Sequence, residues 1–383
     1  MQSVPFGDLR RLLEEGPVTA AGVLSGTSAD GIDVALVELH PERSPRQLAF
    51  RTSPFARDLG RRVRELLEGG CGAPTSARHL ALLHRDLGRA FGEAVRELAW
   101  DSGHWPALVG SHGQTVYHHD DVEPTGVASL QIGDGDWVAA GLGATVVSDF
   151  RQADLAAGGT GAPLTPLADP LLFASVERPF AVLNLGGIAN LTLVEEERVR
   201  GWDVGPAGGL LDGLARLRLG VPYDEGGEVA LTGRVIPELV ERGHHHPFFE
   251  RRPPKSTGRD TFGPEWIETW NRADLAPQDL LASACIFIAE TVRRSLEASG
   301  LEPRSLWIAG GGVHNQRLLD ELAARLPCPV APSSEVGVDP DAREALAFAC
   351  LAAECVRGIG RTETGLTGAR SGRVLGKISP AVG

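Results

Sequence analysis

The sequence predicts an α/β protein with mixed sheets, in which one β-β-β-α unit is used twice. Three observations predict it. Two apolar runs, 21–24 and 34–39, flank the small polar turn Ser25-Gly26-Thr27-Ser28-Ala29-Asp30-Gly31-Ile32-Asp33. The same strand-turn-strand pattern recurs at 180–194, with Gly186 and Gly187 in the turn. A third strand follows each hairpin, 47–54 and 199–204, before each half turns helical. Repetition of a whole unit is a stronger signal than either hairpin alone.

The elements follow in order. Residues 9–15 form a short amphipathic stretch, and 57–68 and 77–99 are helical by their apolar spacing. A buried strand at 107–110 ends in Ser111-His112-Gly113-Gln114-Thr115, and loops beyond strand ends commonly carry ligands. Residues 130–134 lead into a helix at 136–140, and the strand 145–148 runs into Asp149-Phe150-Arg151. The Gly-rich stretch 156–163 reads as a lid or hinge, or as a plain linker. The expected domains are therefore 1–165 and 166–383. In the second half, 207–217 and 280–298 are helical. A strand at 305–309 runs into Gly310-Gly311-Gly312-Val313-His314-Asn315, and Asn315 can cap a helix at 317–326. A short strand at 329–331 and a helix at 341–357 complete the pattern.

Composition narrows the function classes. The 383 residues suffice for two domains with substantial cores. A net charge of −13 and few aromatics argue against a nucleic-acid surface. The five cysteines, Cys71, Cys285, Cys328, Cys350 and Cys355, form no CxxC pair, so neither a disulfide framework nor a structural zinc is expected. No apolar run suggests a signal peptide or a membrane span, and the cytoplasm is the expected compartment. His244, His245 and His246 are adjacent, so their side chains cannot converge as helix ligands do; a solvated loop is expected there rather than a metal site.

Two segments carry chemistry. In the turn 26–33, glycines let backbone N–H groups approach an anion and hydroxyls add donors. Asp30 and Asp33 suit a Mg²⁺ that accompanies phosphate, so a nucleoside triphosphate is the indicated ligand; an ordinary Asp-Gly hairpin is the alternative. Asp203 closes a strand and precedes Val204-Gly205-Pro206-Ala207-Gly208-Gly209. A carboxylate there can take a proton from water or a hydroxyl, while the helix start points N–H groups at a phosphate. The alternative is a helix N-cap.

These residues carry a resemblance. The turn 25–33, Gly110-Ser111-His112-Gly113-Gln114-Thr115, Gln131-Ile132-Gly133-Asp134, Asp149-Phe150-Arg151 and Gly161-Ala162-Pro163-Leu164 resemble the anhydro-N-acetylmuramic acid kinase family. So do Asn184-Leu185-Gly186-Gly187-Ile188-Ala189-Asn190, Pro253-Pro254-Lys255-Ser256-Thr257-Gly258-Arg259, Gly310-Gly311-Gly312-Val313-His314-Asn315, Asp339-Pro340-Asp341-Ala342-Arg343-Glu344-Ala345 and Leu366-Thr367-Gly368-Ala369. The paired units resemble the actin and hexokinase type of ATPase, two RNase H-like domains with mixed sheets flanked by helices and a cleft between them that closes on its ligands.

The resemblance implies a reaction. Water opens the 1,6-anhydro bridge of an amino sugar and O6 takes the γ-phosphoryl of ATP, giving N-acetylmuramic acid 6-phosphate in peptidoglycan recycling. Asp203 would be the base. Gly26, Thr27, Ser28, Ala29, Asp30, Gly31, Ile32, Asp33, Gly186, Gly187, Gly310, Gly311, Gly312 and Asn315 would bind the nucleotide, with Mg²⁺ near Asp30 and Asp33. His112, Gln114, Thr115, Arg151 and Glu344 would bind the sugar, with Arg151 on its carboxylate. Lys255 and Arg259 would belong to a lid or contact phosphate. A homodimer is implied by the resemblance alone.

One departure stands out. The family continues its catalytic Asp with Thr-Gly-Pro-Gly-Asn, where this chain has Val204-Gly205-Pro206-Ala207-Gly208. Ala29 replaces a frequent Leu. Beside the kinase, a regulator that binds without turnover, or a kinase for a related hexose, therefore stays open.

Overall fold

The computed structural model describes residues 4–26, 29, 31–68, 75–119, 126–253, 255–258, 261–361 and 364–381. Its strands are β1 Val18–Ser25, β2 Gly31–His40, β3 Arg43–Pro54, β4 Leu108–His119, β5 Ala128–Ile132, β6 Thr145–Ser148, β7 Phe180–Leu185, β8 Ile188–Val194, β9 Val199–Pro206, β10 Leu306–Ala309, β11 Val330–Pro332 and β12 Lys377–Ser379. The helices that matter below are α1 Phe6–Glu15, α2 Arg57–Glu68, α3 Ala77–Ser102, α4 Gly135–Leu142, α5 Arg151–Ala156, α6 Gly208–Leu219, α7 Pro237–His244, α8 Pro277–Ser299, α9 Gln316–Arg325 and α10 Arg343–Arg357.

The chain divides into two compact units, Met1–Ser175 with Ala342–Gly383, and Val176–Asp341. This differs from the expected 1–165 and 166–383: the C-terminal segment returns to the first unit, because α10 is apolar on nearly every face and is buried there. The stretch 156–163 is not a linker between units. Asp154, fully buried, accepts from the Gly161 N–H at 2.8 Å and from Thr367 Oγ1 at 2.7 Å, tying that loop to the C-terminal segment within unit 1.

Unit 1 holds a seven-stranded sheet in the order β12-β6-β4-β1-β2-β3, with β5 paired to β4. Unit 2 holds a five-stranded sheet in the order β11-β10-β7-β8-β9. The series β6-β4-β1-β2-β3 and β11-β10-β7-β8-β9 match strand for strand. In each, two strands run parallel to the first strand of an antiparallel meander. The expected repetition is thus present at the level of topology.

Alternation along β1 and β4 separates two faces of the first sheet. Ala21, Val23 and Val109 face the core built with Leu83, Leu87, Phe91 and Val95 of α3. Gly22 and Gly110 face α10 instead. A Cβ on Gly22 would lie 1.7 Å from the Ala345 carbonyl oxygen, and one on Gly110 2.1 Å from that of Phe348. Only bare backbone lets α10 lie so close. Helix ends follow local chemistry: the Ser76 side chain caps α3, Asp134 caps α4 through the N–H groups of Asp136 and Trp137, and Asn315 caps α9 through Leu318 N–H.

One expected loop is sheet. Ser111 to Thr115 lie inside β4, which continues past its parallel partners to pair with β5. Nor is the histidine run a solvated loop. His244 ends α7 and packs its ring 4.8 Å from Phe287. Burial pushes its pKa down to about 4. Among the described residues no group of three or more His, Cys, Asp and Glu could hold a metal ion, and no helix is long and apolar enough to cross a membrane. Cys71 lies outside the described residues; Cys285, Cys328, Cys350 and Cys355 are free thiols.

Candidate active site

In unit 2, Asp203 sits near the end of β9, opposite Asn190 of β8. The ladder slips one residue there, so Val204 is a bulge and the strand bends just past the carboxylate. The segment 255–258 crosses beside it. Asp203 N–H donates to the Lys255 carbonyl at 2.9 Å, and Thr257 N–H donates to Asp203 Oδ2 at 2.9 Å. Asp203 therefore does not cap α6, whose cap position is Ala207. The Lys255 ammonium is buried against the Phe248 ring at 4.2 Å and donates to the Phe248 carbonyl. Burial, helped by the nearby Arg251 and opposed by the Asp203 charge, brings its pKa down to about 8. Pro254 and Arg259 lie outside the described residues.

The helix start behind Asp203 behaves differently from expectation. The N–H groups of Ala207 and Gly209 donate to the Gly187 carbonyl, and that of Gly208 to the Gly186 carbonyl. They close the turn on the β7–β8 hairpin and are not aimed at a phosphate. A Cβ on Gly209 would fall 2.9 Å from the Gly187 oxygen, so this backbone contact demands glycine. Gly187 itself has open space around it. Beyond β10, Gly310 has φ +80° and Gly312 sits where a Cβ would meet the Leu185 side chain at 2.5 Å, whereas Gly311 is open. Asn315, 8% exposed, spends its side-chain oxygen on the cap of α9, so its role is to fix the loop. His314 pairs with Asp341 at 2.9 Å on the surface of the same loop.

In unit 1, Thr27, Ser28 and Asp30 lie outside the described residues. Ala29, at φ +51°, and Ile32 are buried in the core, so only their backbone can meet a ligand. Gln114 is fully buried and donates to the Gly26 carbonyl at 3.1 Å, which holds the start of the β1–β2 turn, while its Oε1 has no partner among the described residues. Thr115 Oγ1 accepts from Gln131 Nε2. Asp33 accepts from Thr52 Oγ1 at 2.6 Å. A single carboxylate of this kind fits a Mg²⁺ held mainly by phosphate and water.

His112 and Arg151 meet directly. Arg151 Nε donates to His112 Nε2 at 3.1 Å, and Arg151 Nη1 to the Gly161 carbonyl at 2.6 Å. The Arg can only donate, so Nε2 is an acceptor and the ring proton sits on Nδ1, toward the Gly113 carbonyl at 3.3 Å. Burial pushes the His112 pKa well below its usual value, and the ring is neutral. Burial also lowers Arg151 to about 10, against the pull of Glu344 and Asp154. Glu344 thus joins the cluster through charge. Beside it lies a polar cavity of about 500 Å³, lined by His84, Ser111, Gln131, Asp134, Asp149 and Lys377 among others. Of its lining, only His112 was among the sequence candidates. Ser111, Gln131, Asp134 and Asp149 lie in the quoted motifs, whereas His84 and Lys377 carried no signal in the sequence.

The match to known proteins covers almost the whole chain. The family described as "Anhydro-N-acetylmuramic acid kinase" matches residues 19–381. A protein of that name from Gloeobacter violaceus is 38% identical over 95% of this chain and 99% of its own length. One from Bordetella pertussis is 41% identical over 94% and 95%, and one from Xanthomonas axonopodis pv. citri 40% over 94% and 97%. The chain belongs to the anhydro-N-acetylmuramic acid kinase family.

In this member of the kinase family, the residue that follows Asp203 is turned inward. Val204 is 1% exposed and packs in the core of unit 2, so the missing hydroxyl changes packing rather than the site. At Gly208 a Cβ would approach the Gly186 oxygen to 3.0 Å.

Proposed function

We propose that this chain is an ATP-dependent kinase that hydrolyses the anhydro bridge of 1,6-anhydro-N-acetylmuramic acid and phosphorylates O6. Asp203 is the base. It takes a proton from water as the water oxygen bonds to C1 and the C1–O6 bond breaks. O6 then bonds to the γ-phosphorus while its bond to the β–γ bridging oxygen breaks, releasing ADP. The observation that carries this reading is the anchoring of Asp203 at both its main chain and its carboxylate by Lys255 and Thr257, next to the bulge at Val204. A base must be held in position before its proton transfer contributes.

The glycine turns at 26–33, 186–187 and 310–312 supply backbone for phosphates and nucleotide, since phosphoryl transfer needs positioning and charge neutralisation above all. Mg²⁺, when bound, neutralises phosphate charge, and Asp33 with Asp30 would hold it through oxygen ligands. On the sugar side, Arg151 takes the lactyl carboxylate. The product fits a role in peptidoglycan recycling, and the cytoplasm is the compartment this reading implies.

The burial of Val204 removes the main reason to read the chain as a regulator without turnover. The deciding experiment is phosphorylation of the anhydro sugar with Mg²⁺-ATP by the parent and by Asp203→Asn. Product in the parent and a loss of about 10²–10⁴-fold in kcat for the variant is the expected result. Sugar and ATP binding without product in the parent would return the regulator reading.

A further inference from the structure

Arg151 is oriented by uncharged groups. Its Nε–H goes to the neutral His112 ring and one Nη1–H to the Gly161 carbonyl. Of the five N–H donors of a guanidinium, these contacts use two. The carboxylates nearby act on it through charge, but among the described residues none hydrogen-bonds to it: Asp154 is engaged by Gly161 N–H and Thr367, and Glu344 stands off. An arginine held in this way keeps its remaining donors and its charge for a ligand. A carboxylate acceptor would orient it as well and cancel the charge.

The fold places His112 for this task. In the pairing of β1 with β4, Val23 faces Ser111 and Leu24 faces Gly113. His112 is the extra residue of that bulge, and a bulge re-aims the side chain it carries. Gly113, at φ +82°, completes the irregular backbone. The imidazole lies 4.5 Å from the Phe348 ring of α10, which fixes its plane. Both ring nitrogens are occupied within the protein, so the ring has no free polar atom for a substrate.

We infer that His112 is a specificity-determining positioning residue: as a neutral acceptor it aims Arg151 while leaving the guanidinium charge available for the lactyl carboxylate of the sugar. This rests on the reading of Arg151 given above. It replaces the expectation that His112 touches the substrate itself.

The test compares kcat/KM for 1,6-anhydro-N-acetylmuramic acid with that for 1,6-anhydro-N-acetylglucosamine, which lacks only the lactyl group. The KM for ATP is followed in parallel. In the parent the lactyl sugar is preferred. Arg151→Met lowers the preference about 10- to 100-fold, the value of a charge-assisted pair. His112→Asp lowers it comparably, although Asp can accept the same N–H, and acts mainly through the KM for the lactyl sugar. His112→Gln, a neutral acceptor, retains most of the preference. Equal preference in His112→Asp and the parent overturns the inference while leaving Arg151 as the carboxylate ligand. No change in Arg151→Met overturns both. If His112→Asp does not fold, His112→Gln and His112→Leu carry the test: Gln keeps the preference and Leu loses it, and equal values overturn the inference.

Discussion

Lys255 shows how much of a site depends on one side chain's surroundings. In sequence it is a basic residue in a Pro-rich loop; in the structure its ammonium is buried on the Phe248 ring, close enough to Asp203 for the two charges to interact. Its pKa near 8 means that it carries charge below that pH and loses it above. Losing the charge removes an electrostatic attraction that helps hold the Asp203 carboxylate in place. We expect kcat/KM to fall above about pH 8, and this alkaline limb to move upward in Lys255→Arg, since guanidinium stays charged. A limb unmoved in that variant would assign it to another group. Asp203 was legible in sequence because it stands near the end of a strand before a glycine run. Lys255 had no local mark of its position beside Asp203, and Thr257 had no mark of its contact with it, because far more chain than one element separates them from the carboxylate.

At the scale of elements, the two active segments use the same device. β4 and β9 each carry a bulge, at His112 and at Val204, next to the residues assigned here to chemistry. Spacing alone made Ser111 to Thr115 a loop, because a bulge breaks the period of two that marks a strand. The packing of α10 is equally specific. It lies on the backbone of Gly22 and Gly110 and carries Phe348 beneath the His112 ring. Gly110→Ala inserts a methyl 2.1 Å from the Phe348 carbonyl, so the helix must shift. We expect about 3 kcal/mol of destabilisation in thermal or urea unfolding, the upper range for overpacking. A weaker preference for the lactyl sugar should accompany it. An unchanged midpoint would mean that α10 moves freely on the sheet.

For the whole molecule, the decisive feature is the return of the chain to unit 1 at Ala342. An ion pair fixes that return. Arg343, at the start of α10, and Asp169 are bidentately paired and are 1% and 0% exposed. Breaking a buried pair from one side strands a charge and costs about 3–5 kcal/mol. Asp169→Ala should therefore lower the unfolding free energy by about that amount. The double variant Asp169→Leu, Arg343→Met should recover most of it, since Arg343 Nη1 has no partner among the described residues even in the native pair. A double variant no better than the single one would show that the pair does more than fix the return.

The sequence by itself determined the class of fold, the repeated unit, nearly every element and the candidate base. Those are encoded locally, in apolar period, glycine placement and caps such as Ser76, Asp134 and Asn315. The ordered motifs determined the family. Tertiary structure alone decided which unit the last helix joins, and that Val204 faces the core while Asp203 does not. It alone decided that the N–H groups of 207–209 serve a turn and that His112 serves Arg151. Each of these is settled by atoms far apart in the chain competing for one contact. Close approach, burial and charge select among the contacts that local sequence leaves equal.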